Sequence, residues 1–179
     1  NVRVACNTLL HASVASSNDT LMSNVVKLMT SRGLTPDTIT YNALLRRSLR
    51  RREGSVAIKE GLEEMQRMGI APDQTSIEIL IHSHACQGQI IDAEKAVDVI
   101  ISEYHASPCH AWGTLMGACG NSGDVENLSH VFWRSIEYVD EYCGGDIDLY
   151  KSLIDHGMRA LCEALARDSW RRILHRDVS

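Results

Sequence analysis

The sequence predicts an all-α protein, a solenoid of antiparallel helix pairs, on three observations. The 179-residue chain holds only three prolines, Pro36, Pro72 and Pro108, and they stand 36 residues apart. Random placement seldom spaces residues evenly, so equal spacing points to an internal repeat. Apolar residues recur at helical spacing and then break at small or polar clusters, ASSND (15–19), EGS (53–55), CQGQ (86–89) and GNSGD (120–124). No stretch alternates with a period of two for long enough to form a strand.

Composition narrows the class. With 44% hydrophobic and 23% charged residues the chain has the balance of an ordinary globular protein, not a disordered or collagenous one. No apolar run approaches the roughly 20 residues that cross a bilayer, so no membrane partner is expected. The six cysteines have no CxxC spacing and read as reduced thiols rather than a disulfide framework. The opening NVRVACNTLL already looks like the middle of a helical repeat, which suggests a piece of a longer chain. The net charge of −5 is unevenly spread. Residues 1–73 carry 10 Lys/Arg against 7 Asp/Glu, a net of +3, whereas residues 74–179 carry 8 against 16, a net of −8. A polyanion would be met by the first part, where Arg46, Arg47, Arg50, Arg51 and Arg52 crowd one heptamer. The acidic remainder suits a protein partner.

Each element can be placed in order. First helices of successive pairs are expected over about 4–16, 38–52, 74–86 and 109–121, and second helices over about 19–32, 55–68, 90–104 and 125–142. Asp19, Ser55 and Asp124 are the expected N-caps, and the Pro turns mark where a helix cannot continue. The repeats then run over about 3–37, 38–73, 74–109 and 110–145, forming one domain. Residues 146–179 read as divergent or capping helices, 146–161 pairing with 167–177. Met29, Met65 and the three tryptophans, Trp112, Trp133 and Trp170, are expected in the core.

Aligned on the prolines, RGLTPD (32–37) matches MGIAPD (68–73), and VACNTLL (4–10) matches ITYNALL (39–45), TSIEILI (75–81) and HAWGTLM (110–116). The period, the TYNALL opening and the closing M-x-x-x-G-[IL]-x-P-D resemble the pentatricopeptide repeat. The resemblance implies a right-handed superhelix that binds single-stranded RNA on the face of its first helices, one base per repeat. It implies base-reading roles for Asn7 with Asp37 and for Asn42 with Asp73, a pairing that goes with uridine. Glu78 and Gly113 hold the reading position in repeats three and four, and the partner in repeat three is Pro108 or Cys109. Glu with Cys or Pro is not a reading pair, and Gly has no side chain to read with.

By the same resemblance Val4 and Ile39, with the smaller Thr75 and Ala111, would sandwich bases, and Arg50 and Arg51 would meet phosphate. It further implies work on mitochondrial or chloroplast transcripts. The alternative function is a helical-repeat scaffold for proteins inside a ribonucleoprotein such as an organellar ribosome.

Other chemistries find little support. His82 and Cys86 share a helical face, but His84 does not join them and no second ligand pair follows, so no metal is expected. The P-loop, nucleophile-elbow, HExxH and nucleobase-deaminase motifs are absent from the sequence, so neither an enzyme nor a cofactor is expected.

Overall fold

A computed structural model describes residues 2–176, with side chains as far as Arg167. The described residues form helices and no strands: α1 (Val2–Ala15), α2 (Asp19–Ser31), α3 (Thr38–Arg50), α4 (Ser55–Arg67), α5 (Gln74–Cys86), α6 (Ile90–Tyr104), α7 (Pro108–Ser122), α8 (Val125–Tyr142) and α9 (Ile147–Arg176). They gather into two compact lobes, one ending at Ile79 and the other beginning at Leu80, within α5. Among the described residues no helix is long and apolar enough to cross a membrane.

In the N-terminal lobe α1 packs on α2, α3 on α4, and α1 on α3. The connections between paired helices are so short that the two can lie side by side only as antiparallel neighbours. Cys6, Leu10, Met22, Val25, Met29 and Ala43 form a buried cluster, and Met65 is buried as expected.

The repeated closing motif has a direct physical meaning. At the end of α2 the Leu34 amide donates to the Met29 carbonyl at 2.9 Å and the Gly33 amide to Thr30 at 3.0 Å. At the end of α4 the Ile70 amide donates to Met65 at 3.0 Å and the Gly69 amide to Gln66 at 2.9 Å. This is the Schellman C-cap, whose turning residue sits in the left-handed region that glycine occupies without strain. Gly33 and Gly69 have φ of +63° and +73°. M-x-x-x-G-[IL] is therefore a helix stop, and the Pro-Asp that follows is the next helix start.

Three expectations about helix ends need correction. Asn18, not Asp19, caps α2, its side chain accepting from the Leu21 amide. Asp19 is the first helical residue, drawn aside by two arginines described below. Gly54 precedes α4 at the cap position without a side-chain bond, which makes Ser55 the first helical residue. Pro108 does not end a turn as Pro36 and Pro72 do. It lies in the first turn of α7 behind Ser107, where its missing N–H would be unbonded anyway. The preceding turn is made by His105, a non-glycine residue at φ +54°. Asp124 caps α8 as expected, accepting from the Asn127 amide at 3.0 Å.

The C-terminal lobe is built around α7, whose Cys109, Ala111, Trp112, Gly113, Leu115, Met116, Ala118, Cys119 and Gly120 are all buried. A helix buried on nearly every face must be apolar or small nearly all round, as CHAWGTLMGACG is. Helix α9 packs on both α7 and α8. The two helices expected over 146–161 and 167–177 are one continuous helix. Trp112 is buried as expected, 5.9 Å from the Tyr138 ring, but Trp133 is 62% exposed. The side chain of Trp170 lies outside the described residues. All six cysteines are free thiols, and burial pushes Cys119 up to about 12, which leaves it inert.

Candidate nucleic-acid interface

The expected reading pairs are brought together twice, in the same way. In the first, the Asn7 Nδ2 donates to Asp37, 3.3 Å from Oδ1 and 3.1 Å from Oδ2. In the second, the Asn42 Nδ2 donates to Asp73 Oδ1 at 2.9 Å. Each Asp is positioned by the helix it begins. Asp37 caps α3, accepting from the Thr40 amide at 2.9 Å, and Asp73 accepts from the Ser76 amide at 2.9 Å at the start of α5. A short acidic side chain is favoured there by the exposed amides of the first turn. Each carboxylate thus caps one helix and accepts from an Asn on the helix before.

A hydroxyl that the sequence reading missed completes each arrangement. Thr40 Oγ1 lies 3.0 Å from Asn7 Oδ1 and 2.9 Å from Asp37 Oδ1. Ser76 Oγ lies 2.7 Å from Asn42 Oδ1 and 3.0 Å from Asp73 Oδ1. The signal was in the sequence: Thr40 and Ser76 are separated by the same 36 residues as the prolines. Arg3 was also missed; it donates to the Thr35 carbonyl at 2.7 Å and stands 3.6 Å from Asp37.

Both Asn residues are buried, Asn7 being 7% exposed and Asn42 5%. One helical turn earlier stand Val4 and Ile39, 61% and 48% exposed. Thr75, one turn before Glu78, is half-buried, and Ala111 is fully buried, which takes it out of reach of any base.

The later positions differ. Glu78 accepts from Gln74 Nε2 at 2.9 Å on its own helix. Gly113 lies beneath α9, where an added Cβ would fall 2.5 Å from the His156 ring. Cys109 is buried and donates to the Leu149 carbonyl at 3.4 Å.

The arginine run is folded back on the protein more than its sequence suggests. Arg47 Nε donates to Asp19 Oδ1 at 2.5 Å, and Arg51 Nη2 donates to Asp19 Oδ2. Arg50 donates to the Val14 carbonyl at the end of α1 and to Ser17 Oγ at 2.7 Å. The hydrogen bonds from Arg47 and Arg51 hold the Asp19 carboxyl below its ordinary range. Arg46 and Arg52 are exposed.

Burial pushes the Asp37 carboxyl up, but the Thr40 amide and hydroxyl, the Asn7 amide and the Arg3 charge outweigh it and hold the pKa below the usual value. A depressed folded-state pKa stabilises the fold above the unfolded value and loses that contribution as pH falls through the folded one. The N-terminal lobe should therefore lose stability as pH drops below about 4. Asp37→Asn, which keeps a capping side chain, should flatten that part of the acid limb in urea midpoints measured against pH. An Asp37 carboxyl that titrates by NMR at or above the ordinary value would contradict the assignment.

These features define a class: a helical-repeat protein carrying two Asn–Asp pairs at the repeat interval. Residues 2–48 match the family model of the pentatricopeptide repeat domain, which bears out the resemblance read from the residues. The fold matches the crystal structure of the pentatricopeptide repeat protein PPR10 from maize with a TM-score of 0.63. Identity is 21%, over 97% of this chain and 24% of that one. PPR10 in complex with an 18-nt psaJ RNA element matches with a TM-score of 0.64 at 22% identity, over 88% of this chain and 22% of that one. At these identities the likeness shows the fold, an all-α helical-repeat solenoid. The chain spans about a quarter of the length of the solved structures it matches. No curated protein matches it.

Proposed function

We propose that this chain is a single-stranded RNA-binding module whose first two repeats read adjacent pyrimidines, best two uridines, in organellar RNA metabolism. The observation that carries the reading is the Asn–Asp pair occurring twice in one geometry, each with an exposed apolar side chain a turn away. The chemistry suits an unpaired base. Each Asn keeps one N–H and one lone pair beyond those used inside the protein, a donor and an acceptor side by side. Val4 and Ile39 offer apolar surface against which a base can lie. The PPR10 complex with RNA supports the substrate class by fold analogy.

Affinity from this chain alone should be low. Stacking contributes about 1–3 kcal/mol per base, so two reading repeats supply roughly 2–6 kcal/mol. The acidic C-terminal half opposes the phosphate contacts that normally dominate. Arg50 and Arg51 are the proposed phosphate contacts, and both must give up bonds within the protein to serve.

The test is binding of residues 1–179, and of a longer natural chain, to U-rich and A-rich single strands. The expected result is weak binding by the piece, with U-rich strands preferred by both. If the Asn7→Ala/Asn42→Ala double variant keeps the same preference, the base-reading assignment is wrong. The scaffold reading is favoured for the C-terminal lobe by one observation, the burial of Gly113 beneath α9, which closes that position to a base. Repeat four should accordingly add no base preference.

A further inference from the structure

The two reading amides share a constraint beyond their carboxylate partners. A primary amide between polar neighbours can sit in two orientations that differ by exchanging oxygen and nitrogen. The carboxylate on one side of Asn7 selects the nitrogen, and the Thr40 hydroxyl, its hydrogen shared between Asn7 Oδ1 at 3.0 Å and Asp37 Oδ1 at 2.9 Å, selects the oxygen. Asn42 is held likewise, by Asp73 and by the Ser76 hydroxyl at 2.7 Å. The Asp73 amide donates to Ser76 Oγ at 3.1 Å, which occupies a lone pair and leaves the hydroxyl hydrogen to be given away. Thr40 is 1% exposed and Ser76 fully buried, so neither hydroxyl can turn to bulk water instead.

We propose that Thr40 and Ser76 are positioning residues for base reading, each fixing the amide of the Asn from the preceding repeat in one orientation and so setting which base edge it accepts. The inference rests on the RNA-reading function and adds to it a third residue per site. The chain contains its own comparison. Thirty-five and 36 residues beyond Ser76 stand Ala111 and Trp112, neither with a hydroxyl, and the reading position of that repeat is Glu78 rather than Asn. Hydroxyl and Asn occur together twice and are lost together once.

With the hydroxyl gone, Asn Oδ1 loses the one donor it has among the described residues and the amide is anchored at one end. The carboxylate still holds the nitrogen, but the oxygen end is free to tilt, which blurs the acceptor offered to uridine and narrows its advantage over the opposite pattern of cytosine. The experiment measures affinities of the full chain for U-rich, C-rich and A-rich strands, comparing Thr40→Val and Ser76→Ala with Thr40→Ser and Ser76→Thr. Thr40→Val and Ser76→Ala should each lower the U-over-C ratio by about five- to tenfold, the worth of one hydrogen bond. The hydroxyl-keeping variants should retain the wild-type ratio. A general loss of fold would weaken all three strands alike, so the ratio separates positioning from stability, and the second site carries the test if a variant at the first does not fold. A wild-type preference for uridine that survives both hydroxyl deletions overturns this inference and leaves the reading function standing. A wild type with no preference overturns both.

Discussion

Gly120→Val should destabilise the C-terminal lobe by about 3 kcal/mol or more, the upper range for forcing extra carbon into a packed core. A Cβ at 120 would fall 2.6 Å from the Ala160 carbonyl oxygen and 2.9 Å from its Cα. Those are backbone atoms of α9, so relief requires moving the helix rather than rotating a side chain. Gly117 on the same helix is the control, because nothing lies within 4 Å of its added Cβ. Gly117→Ala should raise stability by about 0.5–1 kcal/mol through helix propensity alone. All three tryptophans lie beyond residue 80, so urea midpoints followed by tryptophan emission report this half of the chain. Equal midpoints for Gly120→Val and the parent would refute the close packing of α7 and α9.

Leu10→Ala carries the comparable effect in the N-terminal lobe. Leu10 is fully buried in the cluster with Cys6, Met22, Val25 and Met29. Truncating a buried leucine removes its transfer free energy and leaves a cavity, together about 2–5 kcal/mol. The site lies one turn along α1 from Asn7, so the damage reaches the interface. Hydrogen exchange is the suitable measurement, since this lobe has no tryptophan. Amides of α1 and α2 should exchange faster by the factor that the stability loss sets. Protection equal to that of the parent would mean that the cluster does not hold the lobe together.

The helix boundaries were legible to within a residue or two because their signals are local: an apolar stripe, a glycine stop, an aspartate start. Errors arose where the deciding partner is distant or the signal was assumed. Asp19 looked like a cap, but its carboxylate is claimed by Arg47 and Arg51 from another helix pair, and Asn18 takes the cap instead. The same contacts explain why the arginine run looked freer in sequence than it is. A break was expected between residues 161 and 167 because the repeat called for one, yet LCEALAR is rich in strong helix formers and has no glycine or proline to stop α9. The Asn–Asp pairs were legible through the family resemblance, and the hydroxyls beside them were overlooked because threonine and serine near a helix start pass for ordinary cap-box residues.

The double duty of Asp37 and Asp73 limits how such a chain can be rewritten. On the proposed function, changing a repeat's target base by exchanging these residues also exchanges the N-cap of the following helix. A substitute that cannot accept from the first-turn amides forfeits about 1 kcal/mol of stability. The vocabulary that keeps the cap at these two positions is accordingly aspartate, asparagine, serine and threonine, with glycine only slightly behind. In a library built on this scaffold the more stable members should be enriched in those residues, each non-capping choice costing about 1 kcal/mol.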